Sequence, residues 1–175
     1  MLAKTACGVL SAAVIAVATT ALGHSTLETS QAAPNSTYKG VLRVPHGCKG
    51  EATKAVRIQI PETIIDVRPM PKAGWTLETV TGDYAASYDY YGTPMKSGVT
   101  EIVWTGELPD AFYDEFVFRA MLTDSLSPGT ELYFPLVQEC GDKADRWIEI
   151  PAAGQDPDSL EYPAPGLELL PAGGH

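Results

Sequence analysis

The chain has 175 residues and a formal net charge of −10 at neutral pH, with an isoelectric point near 4.6. That length makes one domain of ordinary size. The acidity argues against nucleic acid or an anionic membrane surface as a partner.

The first residues read as a targeting segment. Lys4 supplies a short positive region, and an apolar run rich in Ala and Val follows from Val9 to Leu22. Ala21-Leu22-Gly23 puts small residues where signal peptidase needs them, so residues 1–23 are expected to be removed by a cut before His24. The alternative is a buried N-terminal helix. The run is short of the roughly 20 residues that span a bilayer, and no second run of that length follows. The expected product is therefore periplasmic or secreted, with no membrane insertion after cleavage. Cys7 leaves with the signal, and Cys48 and Cys140 remain as a pair. In an oxidising compartment such a pair is expected to be a disulfide, worth roughly 4–5 kcal/mol for a loop this long; a thiolate metal pair is the other reading.

Downstream of residue 24, short β-rich runs alternate with Pro and Gly. The predicted strands are His24–Thr29, Tyr38–Val44, Ala55–Ile60, Ile64–Met70, Trp75–Thr79, Glu101–Trp104, Phe116–Met121, Glu131–Gln138 and Arg146–Ile150. In Val56-Arg57-Ile58-Gln59-Ile60 the aliphatic residues share one face and the polar residues the other. About nine such strands with turns between them predict an all-β antiparallel sandwich over residues 24–151. Asp110–Glu115, after Pro109, is expected to make one helical turn. The tyrosines of residues 84–91 are read as an aromatic hairpin packed on the sandwich, with a glycan or protein surface as the alternative. Residues 152–175 are rich in Pro, Gly and Ala and are expected to form an extended tail over the domain or partly disordered, with Leu167, Leu169 and Leu170 docking at a place the sequence does not specify.

Three histidines are present: His24, His46 and His175. Cleavage before His24 would give it a free α-amine beside its imidazole. Those two nitrogens form a chelate. The amine has an ordinary pKa of about 7.7–8.0, so a metal competes readily with its proton near neutrality. Nitrogen donors of this kind suit Cu(II), which heads the affinity order of the divalent ions. A hairpin centred on Asn35 would set His46 opposite His24, with Cβ atoms roughly 5 Å apart. His46 also has a plain reading, as the cap of a turn in Pro45-His46-Gly47-Cys48. His175 reads as a solvated tail residue. The methionines lack the clustered spacing of a Cu(I) site, and the tryptophans suit a sandwich core. No nucleophile motif, phosphate loop or distinctive carboxylate pair points to an enzyme.

His24 directly after the signal, Ala33-Pro34-Asn35-Ser36, Val44-Pro45-His46-Gly47-Cys48 and Val56-Arg57-Ile58-Gln59-Ile60-Pro61 together resemble the YcnI-like family of bacterial exported copper-binding proteins. Met70-Pro71-Lys72-Ala73-Gly74-Trp75, Phe116-Val117-Phe118 and Arg146-Trp147-Ile148-Glu149-Ile150-Pro151 extend the resemblance over nearly all of residues 24–151. It implies an immunoglobulin-like sandwich. It also implies a Cu(II) site in which the terminal histidine binds through amine and imidazole, near an acidic side chain and a tryptophan. His24 and Trp147 match two of these. The acidic position falls near Pro45-His46-Gly47, where His46 is the expected replacement and Glu51 the nearest carboxylate.

The leading expectation is thus a non-enzymatic copper protein of trafficking or homeostasis, whose partners would be the copper ion and another exported copper chaperone or a copper transporter. The alternatives are a sandwich module that binds a protein or glycan and, third, a copper redox enzyme. Exported protein should begin at His24 and weigh two hydrogens less than the sum of its residues, as intact-mass measurement would show. Two titratable thiols in native material would remove the expected disulfide.

Overall fold

The computed structural model describes residues 23–171. The residues up to Leu22, on which the expected signal segment and Cys7 fall, and the terminal residues that include His175 lie outside it. Twelve strands follow the chain: β1 (Thr26–Leu27), β2 (Gln31–Ala32), β3 (Ser36–Val44), β4 (Thr53–Gln59), β5 (Ile64–Pro69), β6 (Thr76–Tyr90), β7 (Thr93–Leu108), β8 (Asp114–Leu122), β9 (Glu131–Tyr133), β10 (Leu136–Cys140), β11 (Lys143–Trp147) and β12 (Gly166–Leu169). They form a four-stranded sheet, β1-β3-β8-β5, a five-stranded sheet, β11-β10-β4-β7-β6, and a small third sheet, β2-β12-β9. The two large sheets are antiparallel and make a sandwich.

Alternation builds this core. Val56 and Ile58 of β4, Ile102 and Trp104 of β7, and Leu136 of β10 point inward from one sheet and are fully buried. Leu42, Phe116, Phe118 and Leu122 meet them from the other. Trp104 and Phe116 pack with ring centroids 5.5 Å apart. Trp75 lies edge-on to the other side of Phe116 at 4.9 Å.

Several expectations change in the folded chain. The run expected over residues 131–138 is split at Pro135, which has no N–H to give to a ladder, into β9 and β10. The helical turn expected over residues 110–115 is instead a single turn closed by Phe112 N–H donating to Pro109 O at 3.0 Å, followed directly by β8. The two short strands expected near residues 75–79 and 101–104 are parts of one long hairpin, β6–β7. Gly82, Gly98 and Pro94 do not stop it. Register shifts between Val80 and Thr81 and between Asp83 and Tyr88 absorb the mismatches. Pro94 is tolerated because β4 pairs only with residues further along β7, from Glu101 to Leu108. Tyr91 (φ 50°) and Gly92 (φ 83°) make the two-residue turn, both in the left-handed region that such hairpins require.

The hairpin tip is fastened to β5. Tyr90 donates to Asp66 Oδ2 at 2.7 Å, Arg68 pairs with Asp66 Oδ1 at 2.9 Å and Arg119 with Oδ2 at 3.2 Å. Tyr88 and the Ala86 N–H both donate to Glu62. Burial raises the Asp66 carboxyl, but the hydrogen bonds from Arg68, Tyr90 and Arg119 outweigh it and hold the pKa below the ordinary value.

The segment after Pro151 crosses the domain in extended form, with one 3-10 turn at Pro157–Ser159. Its end is β12, parallel to β2 and antiparallel to β9. Leu167 and Leu169 enter the main core, with exposures of 0% and 1%. No helix among the described residues is long and apolar enough to cross a membrane.

Two outcomes follow from this packing. Leu167→Ala should cost about 2–5 kcal/mol in chemical denaturation, because it empties a closed part of the core; a change near zero would mean that the tail only drapes over the surface. The lowered Asp66 pKa means its contribution is whole above the unfolded carboxyl pKa of about 3.9 and fades as pH falls through the folded value. Asp66→Asn should therefore destabilise the protein at neutral pH and flatten the acid limb of its stability curve, measured by thermal melts across pH.

Candidate metal centre

The site begins where β1 enters the sandwich. Thr26 pairs with Arg43 and Leu27 with Leu42. This is one residue out of the register that would set His24 opposite His46, and it brings His24 level with Pro45. The simple hairpin does not form because Gln31–Ala32 leaves β3 and joins β12. Asn35, with φ 54°, turns the chain into β3 afterwards. His46 still lies close. A Cβ built on Gly23 would stand 3.3 Å from Pro45 Cβ and 3.9 Å from His46 Cδ2. The Gly23–His24 junction thus abuts the His46 ring, at the edge that carries Nε2.

His46 is held as one tautomer. Its Nδ1 lies 2.5 Å from the Gly47 carbonyl oxygen, which only accepts, so Nδ1 carries the proton. Nε2 is left with a lone pair. It is buried and has no hydrogen-bond partner. A buried polar atom without a partner is uncommon and costly, and this one belongs to a ring whose Cδ2 lies near Gly23, where cleavage is expected.

His24 is partly open, with 25% of its side chain exposed. Its ring meets Trp147 at a centroid distance of 5.9 Å and an interplanar angle of 61°. Trp147 is almost wholly buried and packs edge-on to Tyr162 as well, at 5.2 Å. The His24 Nδ1 lies 3.9 Å from Asp158 Oδ1. Asp158 sits in the 3-10 turn of the C-terminal segment, where its N–H is capped by Asp156 Oδ1 at 3.0 Å. A cleft of about 360 Å³ opens beside His24, walled by Ser25, Pro157, Asp158, Pro163 and Gly166.

Glu51 is turned to other work. It pairs with Lys143 at 2.9 Å, and its stretch bridges back to Cys48. Cys48 and Cys140 are joined in a disulfide that spans 92 positions, with Cα atoms 5.8 Å apart. Among the described residues no group of three or more His, Cys, Asp or Glu is arranged to hold a metal ion. What is brought together is His24, His46, Trp147 and Asp158, with Glu51 apart beside the disulfide.

Sequence reasoning missed three residues here. Asp158 comes from a segment read as a tail. Gln138, fully buried, was legible only as one inward position of a strand that also carries Leu136 and Cys140. Asp145 lies opposite Gln138 across β10–β11, and burial raises its carboxyl pKa while Lys49 and His46 draw it back.

A family model described as a domain of unknown function, DUF1775, matches residues 24–169. The chain belongs to the DUF1775 family. This is the family of the YcnI-like proteins, and the match takes in β12 as well as the sandwich. Among solved structures, the chain is similar to an uncharacterized protein from Nocardia farcinica whose crystal structure reveals an immunoglobulin-like fold. The two are 24% identical with a TM-score of 0.62, over 85% of this chain and 99% of that one. That likeness establishes the immunoglobulin-like fold of this DUF1775 protein. No curated protein matches it.

Proposed function

We propose that this DUF1775 protein is an exported copper(II)-binding protein of copper trafficking or homeostasis, in which the metal is held by the amine and imidazole of a mature N-terminal His24. The observation that carries this reading is the His46 Nε2 lone pair, buried and unpartnered beside the Gly23–His24 junction. An imidazole nitrogen with no hydrogen-bond partner is suited to a metal of the copper and zinc class. The α-amine and Nδ1 of a terminal histidine are separated by three carbons and close a six-membered ring on one ion. In this site, His46 would stand on the amine side of that chelate. The carboxylate facing the Nδ1 side is Asp158, which replaces Glu51 in the proposal. Trp147 backs the His24 ring and limits access of water from the core side. Copper(II) bound there would supply a redox-capable, strongly Lewis-acidic centre. The residues described serve to hold and shield it, and the partners that fit are another exported copper chaperone or a copper transporter.

The reading as a glycan- or protein-binding module draws less support. The hydroxyls of Tyr88 and Tyr90 are already committed to Glu62 and Asp66, which leaves Tyr91 as the exposed tyrosine of the tip.

The deciding comparison is copper titration of correctly cleaved protein against the same protein with one added N-terminal residue. The extension converts the amine to an amide and should weaken binding severely, because the second arm of the chelate no longer arrives pre-positioned. His46→Ala should weaken it less. Affinity should fall on acidification, as protons compete with the metal for the amine and imidazole nitrogens. Equal affinity of the extended and cleaved forms would reject the terminal chelate.

A further inference from the structure

Gln138 lies on β10 between two inward neighbours, Leu136 and Cys140, and all three are completely buried. A fully buried primary amide in a sandwich core needs partners for its two N–H donors and its oxygen. Gln138 finds them. Its Oε1 accepts from the Trp147 indole N–H at 3.2 Å. Its Nε2 donates to the His46 carbonyl at 2.5 Å and to Thr53 Oγ1 at 2.7 Å. The orientation of the amide is fixed by chemistry, since an indole nitrogen only donates and a backbone carbonyl only accepts. A flipped amide would oppose both.

These contacts join the two halves of the site. Trp147 is the ring against which His24 lies. His46 is the residue whose buried Nε2 has no hydrogen-bond partner and whose ring lies near Gly23. They belong to different parts of the chain, one to β11 and one to the loop after β3, and they share Gln138. We propose that Gln138 is the positioning residue of the site: one side-chain amide sets the His46 loop and the Trp147 indole at a fixed spacing, and with them the gap between His46 Nε2 and His24. The proposal rests on the copper-binding reading for its purpose, but the hydrogen-bonded unit exists without metal. Gln138 touches no proposed ligand atom and acts only through the groups that it holds.

The disulfide does not replace this link. It anchors Cys48, two residues beyond His46, to the strand that carries Gln138. It thus brings the loop to β10, and the Gly47 N–H, donating to the Asp110 carbonyl at 3.2 Å, holds the His46–Gly47 peptide from one side. The hydrogen bond from Gln138 to the His46 carbonyl holds the same peptide from the other side and is the contact that ties it to Trp147.

Two substitutions separate the arms. Gln138→Glu keeps an acceptor for the indole and for the Thr53 hydroxyl, and once ionised it sets an oxygen against the His46 carbonyl, whereas its protonated form can still donate there. Gln138→Met is similar in length and loses both arms. Thr53→Val removes the third contact and neither arm. In metal-free protein, followed by nitrogen NMR, Gln138→Met should shift both the Trp147 indole N–H and the His46 ring signals. Gln138→Glu should shift His46 and leave the indole in place at a pH high enough to ionise the new carboxyl, and the His46 shift should reverse as that carboxyl is protonated. With copper(II), both Gln138 variants should bind roughly 10–100-fold more weakly, the usual loss when an outer-shell partner is removed. Their electron paramagnetic resonance spectra should differ from that of the parent. Thr53→Val should lower the melting temperature and leave copper affinity and spectrum unchanged.

Parent-like copper affinity and spectra in both Gln138 variants would overturn the proposal. So would metal-free His46 and Trp147 signals that do not respond to Gln138→Met. If the parent takes up no copper, the copper reading fails on its own, and the metal-free signals still decide whether Gln138 holds the unit together. Should Gln138→Met not fold, the near-isosteric Gln138→Glu carries the same test through the His46 arm.

Discussion

Cys48 and Cys140 are joined across 92 positions, and the join falls two residues from His46 on one side and two from Gln138 on the other. A loop that begins Val44-Pro45-His46-Gly47 has little reason of its own to hold one shape. It contains a residue with few steric limits, and its polar backbone would be satisfied as well by water. Tied to the inner face of β10, the loop is drawn under the sheet. There its backbone must find protein partners, and Gly47 N–H takes the Asp110 carbonyl at 3.2 Å. The cross-link also removes conformational freedom from the unfolded chain, so the order it imposes on the His46 loop does not have to be supplied by side-chain packing alone.

Burial then does the rest of the chemistry. Once His46 is under the sheet, the Gly47 carbonyl takes the proton of Nδ1 in hydrogen bonding and Nε2 is left without a partner. In water a bare imidazole nitrogen is always solvated and has no special meaning. In a closed site its lone pair is an unmet demand, one that a metal or a single donor can meet. Trp147 contributes from the other side. Its ring is packed between His24 and Tyr162, and its N–H is taken by Gln138, so the indole is rigid where it meets His24. A small nitrogen-rich site is thereby built at the margin of an ordinary sandwich core, with one wall supplied by the C-terminal segment through Asp158.

That wall explains why the end of the chain is structural. Pro157 and the Asp156 cap shape the turn that carries Asp158, and β12 anchors it by burying Leu167 and Leu169. The family match runs to residue 169, as it should if the last strand is part of the same packing unit. The alternation of Leu167 and Leu169 with polar neighbours was visible in the sequence. Its partner strands were not, because β2 and β9 are short and lie more than thirty residues away along the chain in β9's case and further still in β2's.

What the sequence determined by itself is what short-range physics encodes. Alternating aliphatic and polar residues made β3, β4, β5 and β8 legible, since a period of two puts one face in the core whatever the partner strand. Two cysteines left after the expected cleavage pointed to one bridge. The small residues ahead of His24, where cleavage is expected, marked the residue on which the proposed chemistry turns. Tertiary structure alone decided the register, which slipped by one residue and set His24 level with Pro45 because β2 pairs with β12 instead of completing a hairpin. It alone decided that Glu51 spends its charge on Lys143, that Asp158 reaches His24, and that Gln138 bridges His46 and Trp147. Each of these depends on a few long-range hydrogen bonds between side chains. Their partners are chosen by where the sheets bring them, and no periodicity in the sequence records that choice.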